Sequence, residues 1–195
     1  MSERAGRIGR AFLAVVPDER ALDAVARAMS SLALPGGWRA TPREQWHVTL
    51  QFLGGVDDVD GVARAVSSVA SRHHAFGVAL GGGGAFPSAR RAGAAWIGAR
   101  AGEGALRALA GDVSDALAPL GYARDEERFH AHLTVARTRG RDRRDARPLV
   151  DGLSGAADGP PWTVRDVVLF ESRTRPSGAE YSAVERFGLA GAEGA

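Results

Sequence analysis

The chain has 195 residues, 45% of them hydrophobic and 25% charged, with a formal net charge of +2. Those proportions suit a soluble domain with a sizeable core, and no apolar run approaches the ~20 residues of a membrane span. Cysteine is absent, which excludes disulfides, thiolate nucleophiles and cysteine-based zinc or iron–sulfur sites. All 25 basic residues are arginine. The sequence pI of 9.8 therefore reflects a lack of groups titrating between His and Arg, not a strongly basic surface. A case for nucleic acid must rest on where the arginines sit.

In chain order, residues 8–16 are β-rich and read as a first strand. The apolar stretch Ala11–Val16 is too short for a secretory core, so a cytoplasmic protein is expected. Residues 18–33 carry Leu22, Val25, Ala26, Met29 and Leu32 at helical spacing, stopped by Pro35-Gly36-Gly37. A connection with room for a short strand leads to a strand over 46–53, ended by Gly54-Gly55. Residues 57–72 predict a second helix, and 75–81 a strand running out into the loop Gly81–Gly84. A strand near 93–99 and a helix over 102–119 follow, the latter closed by Pro119 and Gly121. A strand over 131–137, an Arg-rich loop and a short helix near 145–153 come next. Two strands, Trp162–Ser172 and Ala179–Leu189, close the chain, and residues 190–195 are expected to fray. Several strand links are too short for a helical crossover, so the expected class is α+β with a mainly antiparallel sheet.

One phrase is written twice. "WHVTLQFLG" holds His47-Val48-Thr49-Leu50, and "FHAHLTVAR" holds His132-Leu133-Thr134-Val135, in a chain with only five histidines. On a strand, alternate side chains share a face. His47 and Thr49 then point one way and Val48 and Leu50 the other, and the second phrase repeats the pattern. Two such strands facing a cleft present two imidazoles and two hydroxyls. One neutral imidazole can take a proton from water, and one protonated imidazole can give a proton to a leaving oxygen. The hydroxyls can hold non-bridging phosphate oxygens. The set suits phosphoryl chemistry without a metal or covalent intermediate, and it predicts a bell-shaped pH profile bracketing about 6.5, the free histidine value.

These phrases, with "RAFLAVVP", "FP" followed by "AAWIGA", "VVLFES" and "AEYSAVERFGL", make the chain resemble the 2H phosphoesterase superfamily, named for two HxTx motifs. It looks most like the RNA 2',3'-cyclic phosphodiesterases, the LigT-like or ThpR-type proteins. The resemblance spans nearly the whole chain. It implies a bilobal fold, residues 1–195 as a single domain of two intertwined pseudo-symmetric lobes around a central cleft. It also implies metal-independent opening of an RNA terminal 2',3'-cyclic phosphate to a 2'-phosphate, with His47 as proton donor, His132 as proton acceptor, and Thr49 and Thr134 on the phosphate. No cofactor and no metal are expected. The partner is an RNA 3' end or a small cyclic nucleotide, no membrane is involved, and a monomer is expected. A 2H enzyme for small cyclic phosphates or 2'-5' linkages, and a non-catalytic RNA-end binder, are the alternatives. One departure is Ala131, where members commonly have Pro.

Other residues have competing readings. Strict alternation puts Arg137 on the face opposite His132, so a role on phosphate needs a twist or a bulge. Phe52 and Tyr181 are candidates to stack a terminal base, against ordinary core packing. His130 with His132 makes an HxH pair that would suit zinc if His47 or the His73-His74 pair added a ligand, or His130 is simply a polar strand entry. His73-His74 otherwise reads as a solvated helix end. Arg139, Arg141, Arg143, Arg144 and Arg147 crowd one loop, either against an RNA backbone or in solvent with Asp142 and Asp145.

Overall fold

The computed structural model describes residues 6–122, 129–140, 142–156, 158–176 and 178–191. The chain runs β1 (Ile8–Val15), α1 (Glu19–Ser30), β2 (Trp38–Ala40), β3 (Val48–Val56), α2 (Val59–Ala70), β4 (Phe76–Phe86) and β5 (Ala94–Ala101). It continues with α3 (Glu103–Leu117), β6 (His132–Thr138), α4 (Arg147–Ala156), β7 (Trp162–Val164), β8 (Asp166–Arg175) and β9 (Gly178–Gly188). Local chemistry starts the first helices where the sequence places them. The Asp18 carboxylate accepts the Ala21 N–H at 2.8 Å and caps α1, and Asp58 accepts from the Gly61 N–H at 2.7 Å and caps α2. The buried stripe of α1 is Ala21, Leu22, Val25 and Ala28. No helix among the described residues is long and apolar enough to cross a membrane.

The strands form one sheet in the order β7-β4-β5-β6-β3-β1-β8-β9, with β2 added beside β6. Every pairing between these strands is antiparallel. The order is palindromic about the β6–β3 junction: β5 answers β1, β4 answers β8 and β7 answers β9. Each half is one lobe of the α+β fold. The strand–helix–strand–helix run β1-α1-β3-α2 is matched by β5-α3-β6-α4. Helix α2 packs on β8 and β9, and α4 on β4 and β5, so each lobe has a helix over its outer strands. The two lobes meet where Val48 pairs with Leu133, the middle residues of the two HxT phrases. Both side chains are fully buried. Leu133→Ala is expected to lower stability by about 2–5 kcal/mol, read as a shift of the urea midpoint at unchanged slope.

The structure corrects four expectations. The stretch 162–172 is not one strand. The chain breaks at Arg165, so β7 pairs with β4 at one end of the sheet and β8 pairs with β1 far across it. Alternation fails here, with Arg165-Asp166 followed by the apolar run Val167–Phe170, but a pair of polar residues does not by itself show that the chain crosses the sheet. Second, Gly54-Gly55 do not end β3, which continues to Val56. Third, Gly81–Gly84 are not a loop; β4 runs through all of them. A Cβ at Gly84 would collide with the Trp96 ring, and one at Gly83 with the Val150 carbonyl of α4. Glycine here lets a ring and a helix lie directly on the strand. Fourth, Ala190 is not frayed: its N–H donates to the His73 carbonyl at 2.8 Å and its carbonyl accepts from the Ala75 N–H at 3.0 Å. Residues 192–195 lie outside the described residues.

Candidate active site

Antiparallel pairing of Val48 with Leu133 brings the two phrases into opposed register. His47 lies beside Thr134, and Thr49 beside His132. All four side chains line one cleft of about 430 Å³, together with Phe12, Thr41, Gln45, Phe52, Arg137 and Tyr181.

A matched irregularity follows each phrase. Along β1, Leu13 pairs with Gln51 and Ala14 with Thr49, so Leu50 is an extra residue in β3. Along β5, Ala95 pairs with Ala136 and Trp96 with Thr134, so Val135 is an extra residue in β6. Both bulges sit immediately after the Thr. Each leaves two consecutive buried residues, Leu50-Gln51 and Val135-Ala136, and reverses the facing of everything beyond. Phe52 and Arg137, both five residues after their His, are thereby turned into the cleft. Strict alternation would have buried both. The bulge that Arg137 needs in order to share the face of His132 is present, so Arg137 lines the cleft, and Phe52, 71% exposed, is not a core residue. Thr41 secures the second bulge: its N–H donates to the Val135 carbonyl at 2.8 Å and its hydroxyl to the Thr134 carbonyl at 3.1 Å.

The two imidazoles are held alike. His132 Nδ1 donates to the His130 carbonyl at 2.8 Å, which leaves Nε2 with its lone pair free. His47 is bonded to the backbone of Gln45, again two residues upstream, and its Nε2 stands 3.1 Å from Thr49 Oγ1. Aromatic rings wall both. His47 stacks on Phe12 at 4.7 Å, with Tyr181 edge-on at 5.4 Å. His132 meets Phe86 edge-on at 4.9 Å, with Trp96 at 6.0 Å. Burial among these rings disfavours the charged imidazoles. It pushes His47 down to about 4, opposed by its backbone hydrogen bond and aided by the charges of His132 and Arg137. It also lowers His132, opposed by the bond to the His130 carbonyl and aided by the charges of His130 and Arg137. Both sites therefore favour neutral imidazole until an anion arrives. The pH profile expected from these two imidazoles therefore lies to the acid side of 6.5.

The remaining candidates separate. Tyr181 lines the cleft, but its ring is already edge-on to Phe12 and His47, so it holds the imidazole in place. His130 is exposed, packs edge-on to Trp96 at 4.5 Å, and has its ring 6.2 Å from that of His132. His73 is not simply solvated; its Nε2 meets Asp112 of α3 at 2.7 Å. Among the described residues no three His, Asp or Glu side chains are grouped to hold a metal. In the Arg-rich loop, Arg144 is paired with Asp142 and Arg147 with Asp145; Arg141 lies outside the described residues. Sequence reasoning missed Phe12, Phe86, Trp96 and Thr41. They reach the site from neighbouring strands and loops, and only the pairing register could have found them.

A sequence model of the 2'-5' RNA ligase superfamily matches residues 17–176. The Archaeoglobus fulgidus protein named RNA 2',3'-cyclic phosphodiesterase is 33% identical over 180 residues, covering 91% of this chain and 99% of that one. A Thermus thermophilus protein of the same name is 28% identical over 192 residues, covering 95% and 92%. Among solved structures, TT0787 of Thermus thermophilus superposes with a TM-score of 0.74 at 26% identity, covering 93% and 98%. Escherichia coli LigT superposes at 0.73 and 22% identity, covering 95% and 99%, a likeness of fold. With the family match over most of its length and a LigT-like fold around two opposed HxT strands, the chain belongs to the 2'-5' RNA ligase superfamily, the 2H phosphoesterases.

Proposed function

We propose that this protein hydrolyses the 2',3'-cyclic phosphate at an RNA end to a 2'-phosphate by two-histidine acid–base catalysis. The observation that carries the reading is the opposed pair of imidazole–hydroxyl sets, each imidazole fixed by a backbone carbonyl two residues upstream. The relatives' shared name supports the substrate class. His132 Nε2 takes a proton from water as the water oxygen attacks phosphorus. The bond from phosphorus to the 3'-oxygen breaks, and His47 delivers a proton to that oxygen. The phosphate stays on the 2'-oxygen. Thr49, Thr134 and Arg137 hold the non-bridging oxygens where charge builds in the transition state. No metal, cofactor or second subunit takes part in the proposal, and its setting is the cytoplasm.

The working form needs His47 charged and His132 neutral. Burial lowers both, so kcat/KM, which reports the free enzyme, is expected to peak below pH 6.5 and fall through pH 7–8. Bound phosphate anion favours imidazolium, so the kcat profile shifts towards alkali relative to kcat/KM. A kcat/KM optimum at pH 8 contradicts this assignment.

The test of function is a short RNA ending in a 2',3'-cyclic phosphate, incubated with the protein in EDTA. A single product carrying a 2'-phosphate is expected. A 3'-phosphate product, or turnover only after zinc is added, overturns the mechanism. Tight binding with no turnover makes the protein an RNA-end binder.

A further inference from the structure

A second groove, of about 770 Å³, opens from the cleft over the second lobe and shares Phe52, His132, Thr134 and Arg137 with it. Three large hydrophobic residues are exposed among the described residues, and two of them, Phe52 and Phe86, line this groove. Its far side carries Arg143. The Arg143 guanidinium lies against Gly93, where a Cβ would meet it at 2.5 Å. It makes no ion pair among the described residues, and its Nη1 donates only to the Asp142 carbonyl, at 3.3 Å. Its neighbours Arg144 and Arg147 are both neutralised by Asp. Arg137, between cleft and groove, is likewise without a carboxylate partner among the described residues.

A smaller hollow on the first lobe, behind His47, lacks these features. Its Arg43 is tied to Glu19 and Asp23 and its Arg186 to Asp166. Exposed aromatic surface beside unpaired arginines is the chemistry that receives single-stranded nucleic acid, through base stacking and backbone contact.

We infer that the groove over the second lobe is a subsite for the nucleotide 5' to the terminal one, with Arg143 on the linking phosphate and Phe86 against a base. This rests on the proposed function and deepens it: the preferred substrate is an oligonucleotide rather than a cyclic mononucleotide. Arg143 is then a specificity residue that acts on KM.

The experiment compares a 2',3'-cyclic mononucleotide with the dinucleotide and trinucleotide ending in the same cyclic phosphate, at several salt concentrations. For the unaltered protein, kcat/KM is expected to rise about tenfold from mononucleotide to dinucleotide, the size of one stacked base and one phosphate contact. Arg143→Ala is expected to bring that ratio down about fivefold through KM, and to flatten the log–log salt dependence of dinucleotide kcat/KM by about 0.7, the single-strand value for one phosphate. Arg143→Glu should lower the ratio further. A dinucleotide-to-mononucleotide ratio of one in the unaltered protein, or a ratio that neither substitution changes, overturns the subsite and leaves the proposed function standing. Failure to hydrolyse any of the three substrates defeats the proposed function, and the subsite with it.

Discussion

His47→Ala and His132→Ala are each expected to lower kcat on a cyclic-phosphate RNA by about 10³-fold, within the range for loss of a general acid or base. The double variant should be little worse than either single one, because acid and base act in one concerted proton transfer and either loss stops it. The geometry gives the reason. Each imidazole has one nitrogen committed to a backbone carbonyl, so a single nitrogen faces the cleft. The nearest other titratable rings, His130 at 6.2 Å from His132 and Tyr181 at 5.4 Å from His47, flank the imidazoles rather than replace them. His47→Gln and His132→Gln keep size and hydrogen bonding and should be as inactive, while thermal unfolding checks that the aromatic walls survive. Two single variants that each retain near-normal kcat would remove both residues from the mechanism.

Arg137→Ala should lower kcat/KM by about 10- to 100-fold, the worth of a charged hydrogen bond that strengthens on the transition state. Arg137→Lys should recover only part, because a point charge cannot reproduce the planar fork on two phosphate oxygens. The expectation depends on the bulge at Val135, since without it Arg137 would face the core. Phe52 occupies the matching place after the bulge at Leu50, so pseudo-symmetry puts an aromatic on one side of the cleft and a cation on the other. Phe52→Ala should therefore act chiefly on KM, through lost contact with the nucleoside. If Arg137→Ala changed only KM and Phe52→Ala only kcat, these roles would be reversed. Kinetics on the same RNA substrate decide between the two patterns.

The grouping of the four candidate side chains was legible in the sequence because it is local. His47 with Thr49, and His132 with Thr134, need only strand periodicity to share a face, and the structure brings both pairs into one cleft. The helix starts were legible for the same reason, since Asp18 and Asp58 act within one turn. What was hidden depends on partners distant in the chain. Leu50 and Val135 are ordinary aliphatic residues, and only the strand opposite makes them bulges. Arg165 lies in a short polar pair inside a β-rich run, and only the strands that β7 and β8 pair with show that the chain crosses the sheet there. The glycines of β4 looked like a loop until Trp96 and α4 were found lying on them. The stacking of Phe12 on His47 comes from a strand more than thirty residues earlier.

The central claim is that His47 and His132 face one bound phosphate from opposite lobes. The most direct measurement is an NMR titration of the imidazole signals, in the free protein and saturated with a nucleoside 2'-monophosphate. In the free protein, His47 should titrate near 4 and His132 below the ordinary value. With the 2'-phosphate bound, both should rise together, since the anion favours imidazolium on each side of it. If the ligand leaves either imidazole's titration unmoved, the two histidines do not share a phosphate, and the two-imidazole mechanism is wrong.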